Sequence, residues 1–156
     1  MRISLHYIVI TILMLLSANP AFAKSNTQDT TPTSVLADIN AYRQQHGLPQ
    51  LQLNAAISQA ATQHSQDMAT HKLAFGHGGF SSRSSNLYAT FRGAQGMAEN
   101  VAYSDIDNAK TLVQFWFNSS GHRKNILGNY NLTGIGIAHD ANGRVYATQI
   151  FLRSRA

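Results

Sequence analysis

Apolar residues recur along the chain in two rhythms, and the change from one to the other divides it. Up to Trp116 they fall three or four residues apart in three long stretches, the spacing of one helical face. Val35, Leu36, Ile39 and Tyr42 form the first stripe, capped by Ser34 and stopped by Gly47 with Pro49 behind it. Ile57, Ala60, Ala61, His64 and Met68 form the second, which opens at Asn54 and runs to about His71. Ala109, Leu112, Val113 and Trp116 form the third, capped by Asp107 or Asn108 and ended by Ser119-Ser120-Gly121. Beyond residue 132 the rhythm becomes alternation. Residues 132–138 and 144–152 read as strands joined through Asp140-Ala141-Asn142-Gly143, where Asn-Gly signals a hairpin.

The intervening pieces are shorter. Residues 47–53 form an extended connector. Residues 72–96 are rich in Gly and Ser, but 25 residues without structure do not suit a compact domain. A helix of one to two turns is expected over 86–92, after Ser85, with Leu87 and Phe91 as anchors and Gly93 as its end. Residues 97–103 suit a short strand or an extended edge. Helices come first and strands last, with no βαβ alternation, so the fold class is α+β with helices against an antiparallel sheet.

The first 33 residues stand outside this pattern. Arg2, the apolar run over 7–16 and Ala21-Phe22-Ala23 form a secretory signal peptide, 1–23, cleaved after Ala23. The run is short for a membrane span and no second one follows. The expectation is an exported protein, extracellular or periplasmic, without a transmembrane segment after cleavage. Residues 24–33 are a polar lead-in, and 34–156 is one domain. The chain has no cysteine, so it has neither a disulfide framework nor a lipid attachment point at the cleavage site. Export removes Arg2, leaving eleven bases against seven acids. The bases are scattered, which favours weak attraction to anionic surfaces, and no basic stripe with interleaved aromatics points to nucleic acid.

Composition sharpens the search for chemistry, because six of the seven acids are Asp and Glu99 is the only Glu. Six histidines remain after export, at 46, 64, 71, 77, 122 and 139, and no HExxH is present. His77 lies in Phe75-Gly76-His77-Gly78-Gly79-Phe80, Glu99 in Ala98-Glu99-Asn100, and His122 in Gly121-His122-Arg123. Two histidines and one carboxylate are a donor set that can ligate zinc with a position left open. The other histidines have structural readings. His64 lies on the apolar stripe as a core histidine bonded to backbone, and His71 follows Asp67 by four as a surface pair. His46 sits at a helix C-terminus, where a cation suits the dipole, and His139 opens the hairpin turn. Ser119 and Ser120 adjoin His122, but no G-x-S-x-G elbow exists. Gly134 and Gly136 lie inside a strand, where glycine lets a side chain from a covering layer approach.

Taken as an ordered set, these segments resemble the CAP superfamily, the SCP-like domain of cysteine-rich secretory proteins, antigen 5 and plant pathogenesis-related group 1 proteins. The carriers are the 43–53 connector, Phe75-Gly76-His77, Ala98-Glu99-Asn100-Val101-Ala102, residues 116–127, and Gly134-Ile135-Gly136 with Gln149-Ile150-Phe151. The resemblance covers about 34–152 and is nearest to the compact, cysteine-free bacterial branch. It implies an α-β-α sandwich, an antiparallel sheet between helices, with a surface cleft that carries two His and two Glu. His77, Glu99 and His122 match three of these four. The second Glu falls at Ser119, three residues after Trp116. In some members the histidines bind a divalent metal, and Asn100 is expected to support the site by hydrogen bonding. The resemblance thus implies a secreted cleft protein binding a divalent cation (Zn) or a small ligand at His77, Glu99 and His122. One alternative is a metal-assisted hydrolase of peptide or envelope polymer with Glu99 as general base, which Ser119 disfavours. The other is a lipid- or sterol-binding or surface-interaction module, meeting an envelope or host surface and using an apolar groove near Tyr88, Phe91 and the loop 81–96.

Overall fold

The computed structural model describes residues 29–155; the expected signal peptide, the first half of the lead-in and Ala156 lie outside the described residues. Helix α1 spans Pro32–Gln45. It begins two residues ahead of the cap expected at Ser34, because Thr31 and Ser34 form a reciprocal capping box in which each side chain accepts from the other's backbone N–H. Pro32 then enters the first turn with φ preset and no N–H to leave unpaired. A two-residue strand, β1 (Gln52–Leu53), leads to α2 (Ala55–Ala69), whose first N–H groups are accepted by the Asn54 side chain.

Helix α3 (Phe80–Thr90) starts six residues before the expected position at Asn86. Gly79, at φ 75°, turns the chain into it, and the serines that read as loop are accommodated by hydroxyls donated back along the helix. Ser84 and Ser85 both donate to the Ser81 carbonyl at 2.9 Å. Strand β2 (Ala94–Ser104) and α4 (Ala109–Asn118) follow, with Asn108 as the cap. Ser119-Ser120-Gly121 does not end helical structure as expected. Ser119 alone is extended, and the chain re-enters α5 (Ser120–Ile126) at once. Strands β3 (Leu132–His139) and β4 (Val145–Ser154) form the expected hairpin.

The sheet order is β1-β3-β4-β2, antiparallel except for the short parallel pairing of β1 with β3. Helices cover both faces, giving the α-β-α sandwich of the α+β class. Alternation along β4 divides its side chains: Val145, Ala147 and Phe151 join Trp116, Leu112, Val113, Ile39 and Ile126 in one continuous core under α1, α4 and α5. Tyr146, Ile150 and Leu152 turn to the opposite face, into two smaller clusters under α2 and α3. Full burial of each large apolar side chain is worth about 1.5–3 kcal/mol.

Two features lock the layers. A Cβ on Gly134 would lie 2.2 Å from the Ile57 carbonyl carbon, and one on Gly136 would lie 2.1 Å from the Thr62 nitrogen. Glycine therefore admits the backbone of α2 itself, a closer approach than the side-chain packing expected. On the other face Arg43, 1% exposed, donates to the carbonyls of Pro49, Ile126, Gly128 and Tyr130. One guanidinium fork thus ties α1 to the C-terminal end of α5, where exposed carbonyls favour a cation. Burial holds its pKa below the ordinary value for arginine.

Candidate functional site

The site is organised by two consecutive residues on edge strand β2. Successive side chains of a strand face opposite ways, so Glu99 and Asn100 cannot serve the same layer. Val101 packs with Met68 and Ala69 of α2, while Ala102 packs in the core with α4. Glu99 therefore belongs to the α2–α3 face and Asn100 to the α4–α5 face.

On the first face the Glu99 side chain is 1% exposed and fully engaged. Arg83 of α3 donates from Nε to Oε2 at 3.0 Å, and from Nη2 to Oε1 and Oε2 at 2.8 Å each. Such a forked, charge-assisted pair is among the stronger hydrogen-bonding arrangements. Arg83 Nη1 also donates to the Gly78 carbonyl at 2.7 Å, fastening the loop that carries His77. Glu99 Oε1 meets His77 Nδ1 at 3.0 Å. The carboxylate oxygen accepts, so Nδ1 donates and Nε2 is the outer ring nitrogen. His64 completes the cluster with Nε2 4.0 Å from Oε1 and 2.8 Å from the Gly76 carbonyl, to which it donates. Burial foremost holds the His64 pKa below its usual value, the Arg83 charge adds to that, and the Gly76 bond and Glu99 act in the opposite sense.

On the second face Asn100 Nδ2 donates to the His122 carbonyl at 3.2 Å. Asn125 Nδ2 donates to Asn100 Oδ1 at 2.9 Å and to the Glu99 carbonyl at 3.3 Å, so α5 is pinned along the strand edge. Burial, and then the neighbouring His77, hold the His122 pKa below its usual value; its ring favours the neutral form. Its Nδ1 is buried and has no partner among the described residues. Beside it opens a cleft of about 330 Å³ lined by Phe75, Val101, Ala102, Tyr103, Phe115 and His122. Phe75 meets Tyr103 edge-on with ring centroids 4.9 Å apart.

The structure brings His77 and Glu99 into contact and places His122 near His77, approaching from the other face of the sheet. Among the described residues no three His, Cys, Asp or Glu side chains form a metal-holding group. The two Glu99 oxygens are taken by Arg83 and His77. Ser119 occupies the joint between α4 and α5, and neither it nor Ser120 bonds to His122.

The remaining histidines serve the fold. His46 Nδ1 lies 2.8 Å from the Tyr42 carbonyl, His64 is the buried, backbone-bonded histidine expected, and His139 Nε2 lies 2.9 Å from Asp107 Oδ2. Asp67 pairs with Lys72 and Gln63 instead of His71, because His71 sits beyond the helix end at φ 58°. Arg83 is the residue that sequence reasoning missed. A partial signal existed: a Glu that is buried requires a cation, and Arg83 is the only Lys or Arg between Lys72 and Arg92.

Residues 36–151 match the model of the CAP family, described as the cysteine-rich secretory protein family. The chain is 35% identical to the uncharacterized protein YkwD of Bacillus subtilis, over 85% of this chain and 54% of that protein. It is 33% identical to the uncharacterized membrane protein YlbC of the same organism, over 81% of this chain and 35% of that protein. It thus spans only about half and a third of these relatives. An extracellular SCP-domain protein from Bacillus anthracis superposes with a TM-score of 0.64 at 28% identity, covering 79% of this chain and 40% of that one.

Proposed function

The chain belongs to the CAP family, and from that premise we propose that it is an exported binding module whose cleft holds a divalent cation or small ligand through His77 and His122. The observation that carries the reading is the 3.0 Å bond from His77 Nδ1 to Glu99. A carboxylate behind a histidine fixes its tautomer and ring orientation and raises the basicity of the outer nitrogen, the usual arrangement around metal-binding histidines. The donor chemistry fits a cation at two neutral imidazoles. Glu99 is then the support of a ligand rather than a ligand itself, since Arg83 and His77 occupy it. A cation such as zinc would supply a Lewis-acidic attachment point for an oxygen or nitrogen of the incoming molecule. Phe75, Tyr103 and Phe115, each about half exposed, would hold its apolar part.

Export is supported by the N-terminal sequence, with its Arg2, apolar run and Ala21-Phe22-Ala23, and by the extracellular description of the Bacillus anthracis neighbour. Among the described residues no helix is long and apolar enough to cross a membrane. The hydrolase alternative is weakened by the same carboxylate, because a general base must reach the proton that it removes, and Glu99 is enclosed. The test is equilibrium dialysis against zinc followed by elemental analysis. The expected result is one zinc per wild-type chain and none specific to the His77→Ala/His122→Ala variant. Equal zinc in the two proteins would refute the reading.

A further inference from the structure

A larger depression, about 420 Å³, lies on the far side of Arg83 and takes no part in the cleft. It is a trough between two helices. Ala56, Gln59, Ala60, Gln63, His64 and Asp67 line one wall along a single stripe of α2. Arg83, Asn86, Leu87 and Thr90 line the other along α3. Helices that touch closely leave no such gap; here alanines on one wall and Asn86 and Thr90 on the other are too short to fill it.

The polar groups of the trough are of a particular kind. The Gln59 and Asn86 amides are exposed and make no side-chain hydrogen bond among the described residues, so each offers both donors and an acceptor. Arg83 has five N–H groups, of which one on each nitrogen is directed at Glu99 or Gly78, the Nη2 one shared between both carboxylate oxygens, leaving two. His64, 1% exposed, donates through Nε2 to Gly76, which makes Nδ1 an acceptor, and that acceptor is buried without a partner. Unpaired buried acceptors are uncommon and call for an explanation. Among these groups, Ala56 and Ala60 on one wall and Leu87 on the other add small apolar patches.

This pattern excludes two ligand classes. An anion would find the single guanidinium already neutralised by Glu99 and would face Asp67. An acyl chain would leave the amides and the carboxylate of the walls without water. A molecule that carries many hydroxyls, each able to donate and accept, around a C–H face that can lie on Ala60 and Leu87, meets every requirement. We propose that the α2–α3 trough is a saccharide-binding site, separate from the His77–His122 cleft and independent of the reading given to that cleft.

The proposal is tested by titrating the 15N-labelled protein, free of added metal, with maltose and with N,N′-diacetylchitobiose. The expected result is saturable amide shifts confined to α2 and α3 with at least one of the sugars. A Gln59→Leu/Asn86→Leu variant, altered only at exposed positions, should keep the native spectrum and bind about tenfold or more weakly, a loss of about 1.4 kcal/mol. No saturable shift with either sugar, shifts centred on His122, or unchanged affinity in the variant would each overturn it. Saturation of the same amides by inorganic phosphate or decanoate, with no response to sugar, would do so as well.

Discussion

The two faces of the sheet are built from the same strands and yet carry different physics. Under α1, α4 and α5 one continuous apolar cluster surrounds Trp116, with buried Gln149 bonded to Thr133, and with Asn100 and the Arg43 clamp, on the same face. Under α2 and α3 the apolar residues fall into two small clusters. Between the helices and the strands on this face lie Glu99, Arg83 and His64, with Ser65 bonded to Thr148. A buried ion pair contributes little net stability compared with an apolar replacement, although removing one partner is costly. The first face thus supplies stability, and the second trades some of it for a fixed carboxylate. The difference teaches that His77 is positioned by a charge network which the core across the sheet makes affordable.

The contrast can be broken by substitution. Trp116→Ala should have the largest effect, toward 5 kcal/mol by urea denaturation, because a large side chain at 0% exposure leaves a cavity in the continuous core. Glu99→Gln should cost about 3–4 kcal/mol by leaving Arg83 largely buried and uncompensated, and Glu99→Gln/Arg83→Met should recover part of that loss. Failure of the double variant to recover would mean that the network stabilises the fold in its own right. Gly136→Ala, aimed at the contact between α2 and β3, should cost about 3 kcal/mol, the upper end of overpacking penalties. A near-neutral result would show that α2 can slide.

A milder probe is acidification. The unfolded state takes up a proton at His64 near its ordinary pKa of 6.5, while the folded state resists it. Stability is therefore complete above about that value and declines as pH falls through 6.5 toward the depressed folded pKa. Denaturation midpoints should be lower at about pH 5.5 than at about pH 7.5, with the His64 ring titrating late by NMR. A His64 ring that titrates at its ordinary value would place the histidine outside the buried network.

Much of the fold was legible because its signals are local. The Asn54 cap, the stripe from Ile57 to Met68 and the Asn142-Gly143 turn act within a few residues of where they stand. The start of α3 was hidden because serine favours loops and caps by propensity, whereas here Ser84 and Ser85 find acceptors inside the helix. The joint at Ser119 was hidden because a single extended residue looks the same as a full stop. For the site, His77, Glu99 and His122 could be named from motifs. Strand alternation, which sends Glu99 to one face and Asn100 to the other, shows how β2 serves both histidines. Arg83 was legible only in part: the lone Glu calls for a cation, but its partner lies 16 residues away and only the fold joins them.

The central claim is that His77 and His122 act together as a cation-binding pair, with Glu99 behind the first. The direct measurement is the melting temperature of the wild type and of His77→Ala/His122→Ala across a zinc titration. Stabilisation should follow RT ln(1 + [L]/Kd), about 2.7 kcal/mol at a hundredfold excess over Kd, in the wild type alone. A flat wild-type curve, or an equal rise in the two proteins, would contradict the account.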